Sequence, residues 1–169
     1  MKISYTVTDS DLGKMLVAKT GRGICSVTFG DKEKELVENL KNEFSAAEIT
    51  EDKSGLNLAV RSILNLLDGT EKRFALPLDV QATAFQLQVW ETLRKIPYGE
   101  TRSYKQVAES IGKPSAVRAV ARACATNPTA LITPCHRVVR ENGDLSGYRW
   151  GIERKKEILA KEAGEAAKK

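Results

Sequence analysis

Apolar and polar residues alternate from Ile3 through Tyr5 to Val7, the period of a half-buried strand. Two further strands are predicted over 15–19 and 24–29, joined by the Thr20-Gly21-Arg22-Gly23 turn. That turn lacks the remaining glycines of a nucleotide-binding loop and no helix follows at once, so it reads as a hairpin connection. The period then changes. Asp31 is placed to cap a helix through Phe44 with Val37, Leu40 and Phe44 on one face. A second helix over 56–67 carries Leu56, Val60, Ile63, Leu64 and Leu67 as its stripe, and Gly69 ends it. Leu76-Pro77-Leu78-Asp79 reads as a linker or a last strand.

The remainder is more helical. A helix is predicted over 83–94 from the spacing of Phe85, Val89 and Leu93, and Pro97-Tyr98-Gly99-Glu100 interrupts the chain. Ser103 and Gln106 form a capping box opening a short helix with Tyr104, Val107, Ala108 and Ile111 as its core stripe. Gly112-Lys113-Pro114 makes a tight turn, with Pro114 suited to start the next helix, 115–125. Asn142-Gly143 signals a hairpin-like wing between Val138-Val139-Arg140 and Leu145-Ser146-Gly147. A last helix is expected over 152–163, and the Ala/Lys-rich tail at 163–169 is expected to fray. This is an α+β pattern. An amino-terminal α/β unit (1–80) with a three-stranded antiparallel sheet precedes a mostly helical unit (81–169).

Composition narrows the class. With 169 residues, 41% hydrophobic and 29% charged, the chain is neither disordered nor collagen-like. It has no apolar run long enough for a bilayer, and Met1-Lys2 opens no signal peptide. Cys25, Cys124 and Cys135 are odd in number and widely spaced, which fits a reducing intracellular setting better than a disulfide framework or a CxxC metal site. The net charge of +5 is unevenly spread: residues 1–80 hold 11 Lys/Arg against 13 Asp/Glu, and 81–169 hold 16 against 9. The carboxy-terminal half is thus the one suited to a polyanion, or to a solubilising surface.

The helices at 103–111 and 115–125 have the dimensions of a helix-turn-helix. On the second, Val117, Val120, Ala121 and Cys124 share the side expected to be core, while Ser115, Arg118, Ala119, Arg122 and Ala125 share the other. Two arginines on a carpet of small side chains can approach a duplex closely and favour shape over base readout. Cys135 is followed by His136, the only histidine. A thiol needs a base or a positive field to be a nucleophile at neutral pH. Neighbouring side chains point apart, however, so the pair needs a sharp turn, which Pro134 fits, or a water between them. Spacing alone also allows an incidental pair. Glu162 projects towards the apolar side of the last helix, beside Ile158 and Leu159, and could orient the imidazole. A solvated glutamate at a helix end is the other reading. Tyr148, Arg149 and Trp150 follow the wing, where an aromatic pair suits a pocket for a flat base or a partner surface.

Pro134-Cys135-His136-Arg137-Val138 resembles the active-site signature of the O6-alkylguanine-DNA alkyltransferases, with Asn127, Arg118 and Glu162 at matching distances. The run from Thr83-Ala84-Phe85-Gln86 to Ala163, including Leu145-Ser146-Gly147-Tyr148-Arg149-Trp150-Gly151, is especially similar to the catalytic domain of the bacterial adaptive-response protein. The resemblance implies a ribonuclease H-like amino-terminal domain and a winged helix-turn-helix-like catalytic domain docking in the minor groove of double-stranded DNA. It implies an irreversible, single-turnover transfer of an alkyl group from O6 of a flipped-out guanine to Cys135, with O4-alkylthymine a further candidate substrate. His136 would act through a water, Glu162 would orient it and Asn127 would brace the turn. Tyr104 would donate a proton and help rotate the nucleotide, and Arg118 would fill the gap in the stack. Ser115, Ala119 and Arg122 would contact DNA, while Tyr148, Trp150, Val138 and Arg149 would line the base pocket.

No cofactor or metal is expected: the amino-terminal half has Cys25 and no histidine for the zinc that some relatives bind. A cytoplasmic monomer without membrane association or transcriptional role is expected. The bulk of Trp150 is expected to narrow the pocket and favour methyl over benzyl adducts. Rival readings are a lesion binder without chemistry, against which Cys135 argues, a helix-turn-helix regulator, and a cysteine hydrolase.

Overall fold

The computed structural model describes residues 1–167; Lys168 and Lys169, at the end of the tail expected to fray, lie outside the described residues. Strands β1 (Lys2–Ser10), β2 (Gly13–Lys19) and β3 (Ile24–Gly30) pair antiparallel in succession. A fourth strand, β4 (Glu48–Glu51), joins the outer edge of β1 in parallel, giving the order β3-β2-β1-β4. Sequence reading missed it because only Ile49 is apolar in its four residues, too little for a visible alternation.

The sheet is buried on both faces. Ile3, Leu16, Ala18 and Cys25 meet Leu36 and Leu40 of α1 (Glu33–Glu43). Met15, Val17, Val27 and Phe29 belong to the larger core with α2 (Asn57–Asp68) and the carboxy-terminal half. This two-sided cover explains why Met15–Ala18 are all buried rather than alternating. α1 begins at Glu33 with Lys32 as an uncapped N-cap, so Asp31 does not cap it. Asp31 instead pairs with Arg154 at 2.7 Å, holding the last helix to the sheet. α2 stops at Gly69, which takes the left-handed conformation (φ 84°) that a β-carbon disfavours.

Four further helices carry the second half: α3 (Ala84–Arg94), α4 (Tyr104–Ser110), α5 (Val117–Ala125) and α6 (Ile152–Ala167). Both bonds of the Ser103/Gln106 capping box form, and Thr83/Gln86 makes a second box on α3. α4 ends in a Schellman motif: Gly112 (φ 75°) donates to Glu109 O and Lys113 to Ala108 O. Pro114 and Ser115 then occupy a turn, so α5 starts at Val117 rather than at 115. The Asn142-Gly143 turn is one residue longer than a two-residue hairpin. Gly143 (φ 86°) donates to Arg140 O and Arg140 to Asp144 O, while Asn142 keeps a negative φ. No strand returns through 145–147; β6 (Val138–Val139) pairs instead with β5 (Arg102–Ser103), in parallel. α6 runs past 163 to Ala167.

The two halves are stitched along β3. Ile24 pairs with Leu78 and Val27 with Thr129, so both the connection between the halves and the loop after α5 add to one sheet edge. The amino-terminal sheet thereby fixes the backbone that leads to Cys135. Arg154 to Leu12 O (2.7 Å) and Lys161 to Asp11 (2.9 Å) tie α6 to the same half.

Candidate active site

Two unusual turns set the cysteine. Leu131 has φ 68°, the one non-glycine residue with positive φ among those described, and Ile132 N–H closes an i to i+2 bond on Ala130 O. This is the strained γ-turn, held by Val27 of β3 accepting from Ala130 N–H. Pro134 (φ −81°, ψ 64°) then forms an inverse γ-turn, with Cys135 N–H on Thr133 O at 2.8 Å. A single 3₁₀ turn, Cys135–Arg137, follows. The reversal swings adjacent side chains into different spaces. Cys135 lines a cavity of about 510 Å³ with Tyr104, Arg118, Cys124, Tyr148 and Arg149, while His136 lines another of about 550 Å³ with Arg137 and Glu162.

Asn127, fully buried, binds the loop together. Its Nδ2 donates to Thr133 O at 2.8 Å and to Cys135 Sγ at 3.2 Å, its Oδ1 accepts from Thr129 N–H at 3.0 Å, and its carbonyl accepts from Arg149 at 2.6 Å. His136 Nε2 lies 2.8 Å from Glu162 Oε2, the distance of an N–H donated to a carboxylate, which leaves Nδ1 as the basic nitrogen. Arg137 grips the same carboxylate through Nε at 2.8 Å and Nη2 at 2.9 Å, and donates Nη1 to Ile96 O. Lys155, with no exposed surface, donates to Val138 O at 2.7 Å.

The electrostatics follow from this packing. Burial pushes the Cys135 thiol up to about 11, against the pull of the Asn127 hydrogen bond, Lys155 and Arg149. A thiol held that high needs a base. Burial lowers His136 against the opposing pull of Glu162, keeping the imidazole neutral and able to take a proton at pH 7. Burial would raise Glu162, but hydrogen bonds from His136 and Arg137 overcome it and bring the carboxyl down to about 2. The dyad is therefore neutral imidazole beside an ionised carboxylate whose charge Arg137 balances.

The cavity gathers Cys135, Tyr104, Arg118, Tyr148 and Arg149 of the residues singled out by sequence. Tyr104 is half-buried and hydrogen-bonds Ser146. Arg118 and Arg122 are exposed on α5 and Ala119 is half-buried; Ser115 sits in the turn before the helix. Cys124 is buried in the core as expected and also borders the cavity, while Val117 and Ala121, expected in the core, are half-buried and line the cavity with Ala125, Arg140 and Gly147.

One pocket assignment needs correction. Trp150 is 7% exposed, stands edge-on to Tyr148 with ring centroids 5.2 Å apart, and faces a different cavity with Phe29, Leu36 and Leu40. Gly151 (φ 101°) turns the chain sharply there, and the indole drops against the sheet. It does not narrow the cysteine's cavity. Val138, whose neighbouring backbone was expected at the pocket, has a fully buried side chain and a carbonyl that accepts from Lys155. The sequence placed Arg137 beside Cys135 as a source of positive field but not its grip on Glu162, and it missed Lys155 as part of the site, although Lys155, Ile158 and Glu162 fall at helical spacing on one face.

A buried thiol lining a cavity walled by residues of α4 and α5, with a carboxylate-held imidazole next to it in the chain but turned into a separate cavity, is the geometry of a candidate sulfur nucleophile. The model of the 6-O-methylguanine DNA methyltransferase DNA binding domain matches residues 84–164, and that of the family's ribonuclease-like domain matches residues 3–80. The chain is 48% identical over 163 residues to the bifunctional transcriptional activator/DNA repair enzyme Ada of Escherichia coli, covering 96% of this chain and 46% of that one. It is 41% identical over 144 residues to the inducible methylated-DNA–protein-cysteine methyltransferase of Bacillus subtilis, covering 85% and 80%. A crystal structure of Mycobacterium tuberculosis OGT in complex with DNA superposes with a TM-score of 0.82 at 36% identity, covering 96% of this chain and 94% of that one. This chain belongs to the 6-O-methylguanine DNA methyltransferase family. It spans about half the length of the first curated relatives it matches, the Ada proteins. Among the described residues no group of three or more His, Cys, Asp or Glu side chains could hold a metal ion, and no helix is long and apolar enough to cross a membrane.

Proposed function

We propose that the protein repairs DNA by moving the alkyl group of O6-alkylguanine onto its own Cys135, once per molecule. The observation that carries this reading is the Cys135 sulfur, held by Asn127 at the base of a cavity large enough for a nucleobase, with the His136–Glu162 pair behind it. Family membership and the DNA-bound relative supply the substrate class. In this reading α5 lies against the minor groove, its small residues allowing close approach and Arg118, at the cavity rim, replacing the extruded nucleotide in the stack. A weakly paired, modified base leaves the stack at lower cost than a normal one, which contributes selectivity.

His136 Nδ1 takes the thiol proton through a bridging water, Glu162 steadies the resulting imidazolium, and the thiolate attacks the alkyl carbon. Sulfur gains the C–S bond as the O6–C bond breaks, and the electron pair stays on guanine. Tyr104, whose hydroxyl lies at the cavity wall, donates the proton that relieves this charge. Tyr148 and Arg149 border the base. Acid–base side chains such as the tyrosines and arginines that line the cavity do not break a C–S thioether, so each molecule acts once. The protein works as a monomer in the cytoplasm on chromosomal DNA. With lesion DNA in excess, removal should plateau at one methyl group per protein molecule, and Cys135→Ala should remove none. Continued turnover would overturn the proposal.

A further inference from the structure

Two hydroxyls from segments 42 residues apart meet at the wall of the Cys135 cavity. Tyr104 is the first residue of α4, and Ser146 lies in the segment after the Asn142-Gly143 turn, which pairs with no strand. Their oxygens share a hydrogen bond, and among the described residues neither hydroxyl has another partner. An ion pair from Lys105 to Glu141 at 3.7 Å joins the same two segments, but both of its side chains are exposed. The Tyr104–Ser146 bond is partly buried, where water competes less for either group.

The direction of this bond can reverse. A phenol is a stronger acid than an aliphatic alcohol, so the neutral Tyr104 is the better donor and the serine oxygen the better acceptor. A phenolate can only accept. The serine hydroxyl turns about its C–O bond to suit its partner, so Ser146 then donates instead. A hydrogen bond to an ion is roughly twice as strong as one between neutral groups, so this serine favours the ionised tyrosine. Burial pushes the Tyr104 phenol up, and the Ser146 hydrogen bond is the largest influence opposing it. Cys124 of α5 and Cys135 act with burial, and Arg140 acts against it. Arg118, Tyr148 and Arg149 complete the charged and titratable groups around the cavity.

We propose that Ser146 is a positioning residue for proton donation, holding the Tyr104 hydroxyl at the cavity wall and turning its own O–H onto the phenolate as the proton leaves. The inference rests on the proton-donor role given to Tyr104 above. When guanine occupies the cavity, the phenol hydrogen turns to it and the Ser146 hydrogen turns to the phenol oxygen. As the alkyl carbon passes to sulfur, the Tyr104 O–H bond breaks, guanine takes the proton, and the electron pair of that bond stays on the phenolate oxygen. The phenolate regains a proton from water afterwards. Ser146 acts through Tyr104 and breaks no bond of its own.

Two measurements on the full chain test this. Protein carrying 3-fluorotyrosine, whose phenols are more acidic than those of tyrosine and titrate at milder pH, is followed by fluorine NMR, with the Tyr104 resonance assigned by Tyr104→Phe. Ser146→Ala should move the Tyr104 titration to higher pH by about half to one unit. The same variant should slow single-turnover repair of an O6-methylguanine duplex by about three- to tenfold at unchanged DNA affinity. Ser146→Thr, which keeps the hydroxyl, should stay close to wild type in both. In a Tyr104→Phe background Ser146→Ala should cost nothing further, because both changes cut one path. An unmoved Tyr104 titration in Ser146→Ala, or a loss of rate that persists in full without the Tyr104 hydroxyl, overturns the inference. A shifted titration together with wild-type repair by Tyr104→Phe would overturn the proton-donor role instead.

Discussion

Replacing Glu162 by glutamine should destabilise the fold by about 3 kcal/mol at neutral pH, and the structure supplies the magnitude twice. The drop of the carboxyl from 4.5 to about 2, produced by His136 and Arg137 against the opposing effect of burial, corresponds to about 3 kcal/mol of folding free energy at 1.36 kcal/mol per pKa unit. Independently, glutamine leaves the Arg137 guanidinium, 8% exposed, without its carboxylate, and breaking one side of a buried pair costs about 3–5 kcal/mol. In a domain of this size that is a fall in Tm of roughly 6–12 °C. The pH dependence has a definite sign. The folded carboxyl is the stronger acid, so its contribution is present above pH 4.5 and is lost as pH falls towards 2. His136, held neutral by burial, adds a loss that begins at higher pH, below its ordinary value of 6.5. Urea unfolding followed by fluorescence of the buried Trp90 and Trp150, from pH 7 down to pH 3, measures both. Glu162→Gln should lose stability at pH 7 and lack the wild-type decline below 4.5. A cost under about 1 kcal/mol, or an unchanged acid slope, would refute the account of this carboxylate.

Arg118→Ala should weaken action on duplex DNA while sparing reaction with the free alkylated base, because the side chain stands at the cavity rim without touching the sulfur; comparable loss with both substrates would remove it from the stack-filling role. Methylated protein should melt a few degrees below unmodified protein: the sulfur opens onto the cavity on one side, but on the other it accepts from the buried Asn127 Nδ2 at 3.2 Å, and weakening that hydrogen bond in a thioether costs about 1 kcal/mol, roughly 2–4 °C. Differential scanning fluorimetry of the two forms decides this, and equal midpoints would contradict a stabilising role for the Asn127 contact. Trp150→Ala should leave the ratio of methyl- to benzylguanine rates unchanged while lowering Tm, since the indole packs against the sheet rather than in the cysteine's cavity; a changed ratio would return it to the pocket.

The local chemistry of the site was legible where sequence and structure share one short range of chain. Ser103 with Gln106, Gly112 after α4 and Pro134 before Cys135 each constrain the backbone within a few residues, and each does so here. Glu162 was legible because helical periodicity turns it inward beside Ile158, where a bare charge is costly. What escaped depends on distant segments. Arg137 meets Glu162 from 25 residues away, and Lys155 is buried because the Val138 carbonyl needs a donor. Neither pairing leaves a period in the sequence. Trp150 was misplaced because the direction of a side chain in a loop depends on how Gly151 turns the backbone into α6. The left-handed Leu131 is equally unreadable: leucine does not favour that conformation, and the bond between Val27 and Ala130 that imposes it comes from the other half of the chain.

The central claim is that the sulfur of Cys135 becomes the permanent resting place of the alkyl group. Mass spectrometry of intact and digested protein after incubation with duplex DNA containing O6-methylguanine tests it directly. The account predicts a gain of one CH₂ per molecule, confined to the Cys135 peptide and equal in amount to the guanine restored. Restoration of guanine with an unmodified Cys135, or with the methyl group on another residue, would contradict it.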